Sequence, residues 1–166
     1  MRVSLKFSAL FLTTTALLAG GGCASNPDAL APGTPREQVL RSYGKPTADI
    51  TLPAGERLQY SRQPFGQQVY NVDLDSKGNV IAAEQALNPA RFATVQPDVW
   101  TDADVVRTFG KPAIISQVYS FKGIVWSYRF YLNSSNMEFH VFLDSSGMVR
   151  RTQTTQEMEG KHSMHF

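Results

Sequence analysis

Thiol chemistry is almost absent from this chain: one cysteine, Cys23, stands among 166 residues. A lone cysteine cannot close an internal disulfide, so a disulfide-stapled scaffold is excluded. Long hydrophobic runs are missing too. The apolar stretch from Phe7 to Leu18 is about half the length needed to span a bilayer, and no later run is long enough. Net charge is small, with 16 basic residues against 14 acidic ones. Two of the basic residues, Arg2 and Lys6, lie at the extreme N-terminus. Without them the signs balance, and no field remains to draw nucleic acid. Histidine is scarce: His140, His162 and His165 are all there are. None stands beside a nucleophile in a recognisable motif. His140 reads as a surface strand residue beside Glu138 and across a hairpin from Arg129. His162, Met164 and His165 read as a polar tail and not a soft-metal site. Asp73 and Asp75, beside a turn, read as a solvated strand edge. The chain therefore reads as a non-enzyme, with no cofactor, no metal and no small-molecule substrate.

What is present begins with a processing signal. Arg2 and Lys6 precede the apolar core, and "AGGGC" follows it. Residues 1–22 read as a signal peptide. Cys23, directly after small residues, resembles the acylated cysteine of a bacterial lipobox, although Gly20 stands where Leu is usual. Acyl chains contribute about 0.8 kcal/mol per buried methylene, so two or three would anchor the protein stably. Cleavage between Ala24 and Ser25 by ordinary signal peptidase is the other reading. By resemblance to the sorting pattern of Gram-negative bacteria, Ala24 after the cysteine points to the outer membrane. Residues 23–33 would be the tether. Aromatic content of 11% and hydrophobic content of 42% argue for a packed protein beyond it.

The chain repeats itself. "RSYGKP" ends at Pro46 and "RTFGKP" at Pro112. With Gly44 set on Gly110, Val39 falls on Val105, Tyr43 on Phe109, Tyr60 on Trp126 and Ser61 on Ser127. After three inserted residues, Tyr70 meets Phe139, Leu74 meets Leu143 and Gly78 meets Gly147. This register reads as an internal duplication. Each copy opens with a helix. Thr34 is the expected N-cap with Pro35 at N1 and Glu37 at N3, and Thr101 the second with Asp104 at N3. Gly44 and Gly110 supply the C-terminal stop, and Pro46 and Pro112 prevent continuation. Period-two alternation then marks strands, as in "IVWSYRFYL" and "MEFHVFLD". "DSKG" and "DSSG" are tight turns before a last strand. The expectation is an α+β protein of two tandem helix-plus-three-stranded antiparallel units with pseudo-twofold similarity. The first unit spans 34–87 and the second 98–155. Residues 88–97 form a linker with a short helical turn, and 156–166 a polar tail. One such unit buries too little surface to be stable alone, and pairing two remedies that.

The ordered set "GTPREQVLRSYGKP", "YSRQP", "VDLDSKGNV", matched by "VWTDADVVRTFGKP", "WSYRF", "VFLDSSGMV" behind a lipobox, resembles the SmpA/OmlA (BamE-like) outer-membrane lipoproteins. Such members carry one unit, whereas here there are two. The resemblance implies an αβββ or ααβββ fold without catalysis, and a role beside the machine that inserts β-barrels into the outer membrane. Tandem units of this kind also resemble secreted β-lactamase inhibitor proteins, which bind an enzyme across a concave sheet.

The copies differ on one face. In the first, the outer strand face is polar: Gln59, Ser61, Asn71, Asp73. In the second it holds Val125, Tyr131, His140 and Phe142, with Arg129 and Arg150 around it. Apolar groups rimmed by arginine and tyrosine fit a protein contact; packing of this face on the first copy is the alternative. The structural set is Gly44, Pro46, Gly110, Pro112, Tyr60, Trp126, Gly78 and Gly147. The expected function is a non-catalytic lipoprotein on the periplasmic face of the outer membrane. It would dock an envelope protein in barrel assembly or envelope integrity. Inhibition of a periplasmic or secreted enzyme is the alternative.

Overall fold

A computed structural model describes residues 26–157. The expected signal segment, Cys23, His162 and His165 lie outside them. A 3-10 turn at Pro27–Ala29 leads into helix α1 (Arg36–Tyr43). Strands β1 (Ala48–Leu52), β2 (Gly55–Ser61), β3 (Val69–Asp75) and β4 (Val80–Gln85) follow. After a short helix α2 (Pro89–Phe92) come α3 (Asp102–Phe109), β5 (Ile114–Ser116), β6 (Ile124–Leu132), β7 (Ser135–Leu143) and β8 (Val149–Gln156). The strands form two four-stranded antiparallel sheets, β1-β2-β3-β4 and β5-β6-β7-β8. The fold is mixed α+β. The expectation of three strands per unit is corrected to four. The additional strands, β1 and β5, are five and three residues long, too short for alternation to declare them. Pairing with β2 and β6 makes them strands.

Each helix is tied to its sheet at both ends. Arg36 N–H donates to Gly78 O and Asp102 N–H to Gly147 O, each at 2.8 Å. At the other end Gly44 (φ 75°, ψ −158°) and Gly110 (φ 76°, ψ −167°) adopt a conformation open essentially to glycine alone. Their N–H groups close the last helical turn on Leu40 O and Val106 O. Tyr60 Oη donates to Gly44 O at 3.2 Å, and Tyr128 Oη to Gly110 O at 2.9 Å. The structural counterpart of Tyr60 is therefore Tyr128, not Trp126. The residues added in the second copy are split between the β5–β6 connection and the β6–β7 region. Trp126 instead packs at the margin of the second core.

The N-terminal caps differ. Thr101 forms the expected capping box with Asp104. The accepted Thr101 backbone N–H, above all, holds the Asp104 carboxyl below its usual range. Thr34 does not cap α1: extended Pro35 occupies that position, and Thr34 Oγ1 donates to Ala31 O at 2.7 Å. Asp75 and Asp144 are not idle edge carboxylates. Asp75 Oδ1 accepts Lys77 N–H and Asn79 N–H, and Asp144 Oδ1 accepts Ser146 N–H and Met148 N–H. Both hold the turns in which Gly78 and Gly147 take the last position.

Two cores result. In the first, Val39 of α1 meets Leu58, Val72, Leu74 and Val80. In the second, Val105 and Phe109 of α3 meet Tyr128, Phe130, Phe139, Val141 and Leu143. Residues 88–97 do more than link. Phe92 stacks on Phe139 at 3.9 Å with the rings 8° apart, and stands edge-on to Phe130 at 4.8 Å. Val69 of β3 enters the same cluster.

The polar face of the first sheet is not solvated. Gln59 and Asn71 are 2% and 1% exposed. Asn71 Nδ2 donates to Thr108 O at 2.9 Å, and Arg57 Nη1 to Arg107 O at 3.1 Å. Gln59 Nε2 reaches Arg107 O at 3.4 Å. These donors satisfy carbonyls that a helix C-terminus leaves without intrahelical partners. Asp73 grips Arg57 with both oxygens, at 2.6 and 2.8 Å, which corrects its reading as a solvated edge. That contact, first of all, raises the Arg57 pKa.

Candidate functional site

With the first sheet closed against α3, the open face belongs to the second sheet. Strand alternation places Val125, Ser127, Arg129 and Tyr131 of β6 on it, beside Glu138, His140 and Phe142 of β7. Register adds β8: His140 faces Gln153, and Phe142 faces Arg151. The face is hollowed into a groove of about 600 Å³, with Ile114, Ile115 and Val118 along one wall.

The floor is a polar chain. Ser127 Oγ lies 2.8 Å from His140 Nδ1, and Thr155 Oγ1 lies 2.8 Å from His140 Nε2. Glu138 Oε2 stands 3.6 Å from the same Nε2. A hydroxyl, an imidazole and a carboxylate together call hydrolysis to mind. Ser127, however, sits on a central strand paired on both sides, with Ile114 and with His140. Its main-chain N–H belongs to the ladder plane, where it is not aimed at an oxyanion in the groove.

The five residues expected to meet a partner fare differently. His140 forms the floor. Tyr131 is 57% exposed at the far end. Phe142 lies on the face but is only 5% exposed. The Arg151 guanidinium covers it at 3.5 Å from the ring centroid, and Phe121 meets it edge-on at 5.3 Å. Arg129 serves the fold. Its Nε donates to Glu157 Oε1 at 3.0 Å and its Nη1 to Pro64 O at 3.2 Å. The Gln63 amide answers by bonding Arg129 O at 2.7 Å and Arg129 N–H at 3.3 Å. A side chain thereby stands where β5 is too short to pair, which protects an edge that would otherwise be open.

Arg150 is not on the groove. It pairs with Asp98 at 2.6 Å and Asp144 at 2.7 Å beside the β7–β8 turn. Asp98 first, then Asp144, raises its pKa, while the Ser146 hydroxyl leads the groups that hold Asp144 far below the usual carboxylate range. The reason is a β-bulge between Phe142 and Leu143. One extra residue on β8 shifts the alternation by one, so Arg151 faces the groove. Adjacent arginines behind a "DSSG" turn were the signal that either could do so. Ser127, Gln153, Thr155 and the Ile114–Val118 wall also escaped sequence reasoning.

No family model and no curated protein matches the chain. Among solved structures it is similar to a DUF4309 family protein (YjgB) from Bacillus subtilis. The two are 12% identical over 74% of this chain and 78% of that one, at a TM-score of 0.31. That score is too low to establish a shared fold. No helix among the described residues is long and apolar enough to cross a membrane.

Proposed function

We propose that this chain is a non-catalytic, lipid-tethered protein-binding module of the bacterial envelope, and that the open face of its second sheet is the contact surface. The observation that carries this is the inequality of the two sheets. The first sheet's outer face is consumed in capping α3, while the second presents a groove with an apolar wall and a polar floor. An inhibitor that grips an enzyme across both units needs a concave face running over both. Closure of the first face weighs against that alternative and favours one patch on one unit.

The tether belongs to the sequence reading: a signal segment, small residues, then Cys23, acylated and held at the periplasmic side of the outer membrane. The resemblance of its motifs to the SmpA/OmlA lipoproteins is what supports a role in barrel assembly or envelope integrity. Tandem duplication with pseudo-twofold similarity is the finer reading of the fold. It is supported by matched wiring, from the Pro35–Asn79 and Thr101–Met148 bridges to the Tyr60 and Tyr128 contacts with the helix-ending glycines.

Ile115 lines the groove and Tyr131 lies farther along β6 at the hairpin end of the same sheet; they are 62% and 57% exposed, so changing them spares the core. Ile115→Asp with Tyr131→Ala is expected to cut co-purification of an envelope protein from solubilised membranes about tenfold or more, with the thermal midpoint unchanged. Undiminished co-purification from the double variant would contradict the assignment of this face.

A further inference from the structure

Resting on that reading of the face, we infer that the groove takes an extended segment of a partner protein carrying a carboxylate beside an aliphatic or aromatic side chain. The first argument is charge. Arg129 and Arg150 of this sheet are both ion-paired. Among the described residues Arg151 has no ion pair: it covers Phe142 and bonds to Gln153 Oε1 at 3.3 Å. Lys122, on the loop that carries Val118 and Phe121, also has no ion pair among the described residues. The acidic group lining the groove, Glu138, has a side chain 7% exposed and turned to His140. The accessible charge at the rim is therefore positive, and an acidic partner complements it. Arg151 is already seated on an aromatic face, which orients its fork for a carboxylate.

The second argument is the shape and chemistry of the hollow. Ile114, Val118, Val125 and Phe142 form apolar walls around a space of about 600 Å³, the scale of a side chain with its flanking main chain. Beneath them, Ser127 and Thr155 each spend one hydrogen-bonding site on His140. A hydroxyl has one donor and two acceptor positions, so both retain capacity for the amide groups of an extended chain. A concave hollow suits an inserted segment better than the flat surface of a bilayer.

The test is selection of random heptapeptides displayed on phage against the full mature protein in detergent. Bound peptides are then mapped by amide shifts of Ser127, His140 and Phe142. The expected result is enrichment of Asp or Glu next to an aliphatic or aromatic residue, with shifts at those three amides. Arg151→Glu is expected to weaken the selected peptides at least tenfold and to turn the selection toward Lys and Arg. Peptides without an acidic excess that still shift these amides would overturn the ligand chemistry and leave the face standing. Shifts confined to other residues would overturn the face itself. Binding to phosphatidylglycerol vesicles that is lost in Arg151→Glu would overturn the proposal in favour of a lipid surface.

Discussion

Asn71 is a polar residue on a strand whose alternation turns it away from the first core, and it is 1% exposed. Water does not satisfy it; Thr108 O and the Gln59 amide do. Removing it leaves a desolvated helix carbonyl without its donor. Asn71→Ala is expected to destabilise the protein by about 1–3 kcal/mol, read as a lower denaturation midpoint in urea. A near-zero effect would mean that this face is wet. From sequence, a donor facing water and a donor facing a helix terminus look alike, which is why the face reads as solvated there. Arg150 and Arg151 pose the same difficulty. Adjacent in sequence, they are separated in role by a bulge that no residue type announces. Thr34 and Thr101 show the converse. Each precedes a helix, but with Gly44 set on Gly110 it is Pro35, not Thr34, that falls on the capping Thr101, and Thr34 stands one residue too early.

Elements with a pattern of their own were legible: both helices with glycine stops, the long strands β6 and β7, and the aspartate–glycine turns. β1 and β5 were not, because a strand of three to five residues is defined by its neighbour more than by its own alternation. The segment 88–97 falls between these cases. Its proline and small residues read as connection, and α2 is only one turn long. What turns it into core is Phe92, 7% exposed among Phe109, Phe130 and Phe139. Phe92→Ala is expected to cost about 3–5 kcal/mol, measured by denaturant titration. A loss under about 0.5 kcal/mol, the range of ordinary surface substitutions, would return the segment to the status of linker.

At the scale of the molecule, the two sheets share their strand order and the tyrosine contacts to the helix-ending glycines, and differ in their surfaces. The first unit turns a polar sheet face onto α3 and orders it; the second keeps its face open. The duplication itself is read from repeated words in the chain. Which face stayed open was not, because it depends on how one copy packs against the other. A photoreactive benzoylphenylalanine placed singly at Ile115, Tyr131 or Ile81 in intact cells addresses this directly. All three sites are more than half exposed, at 62%, 57% and 54%, but Ile81 lies on the first sheet. The account predicts a crosslinked protein adduct from Ile115 and Tyr131 and none from Ile81. An adduct from Ile81 with none from the second sheet would contradict it.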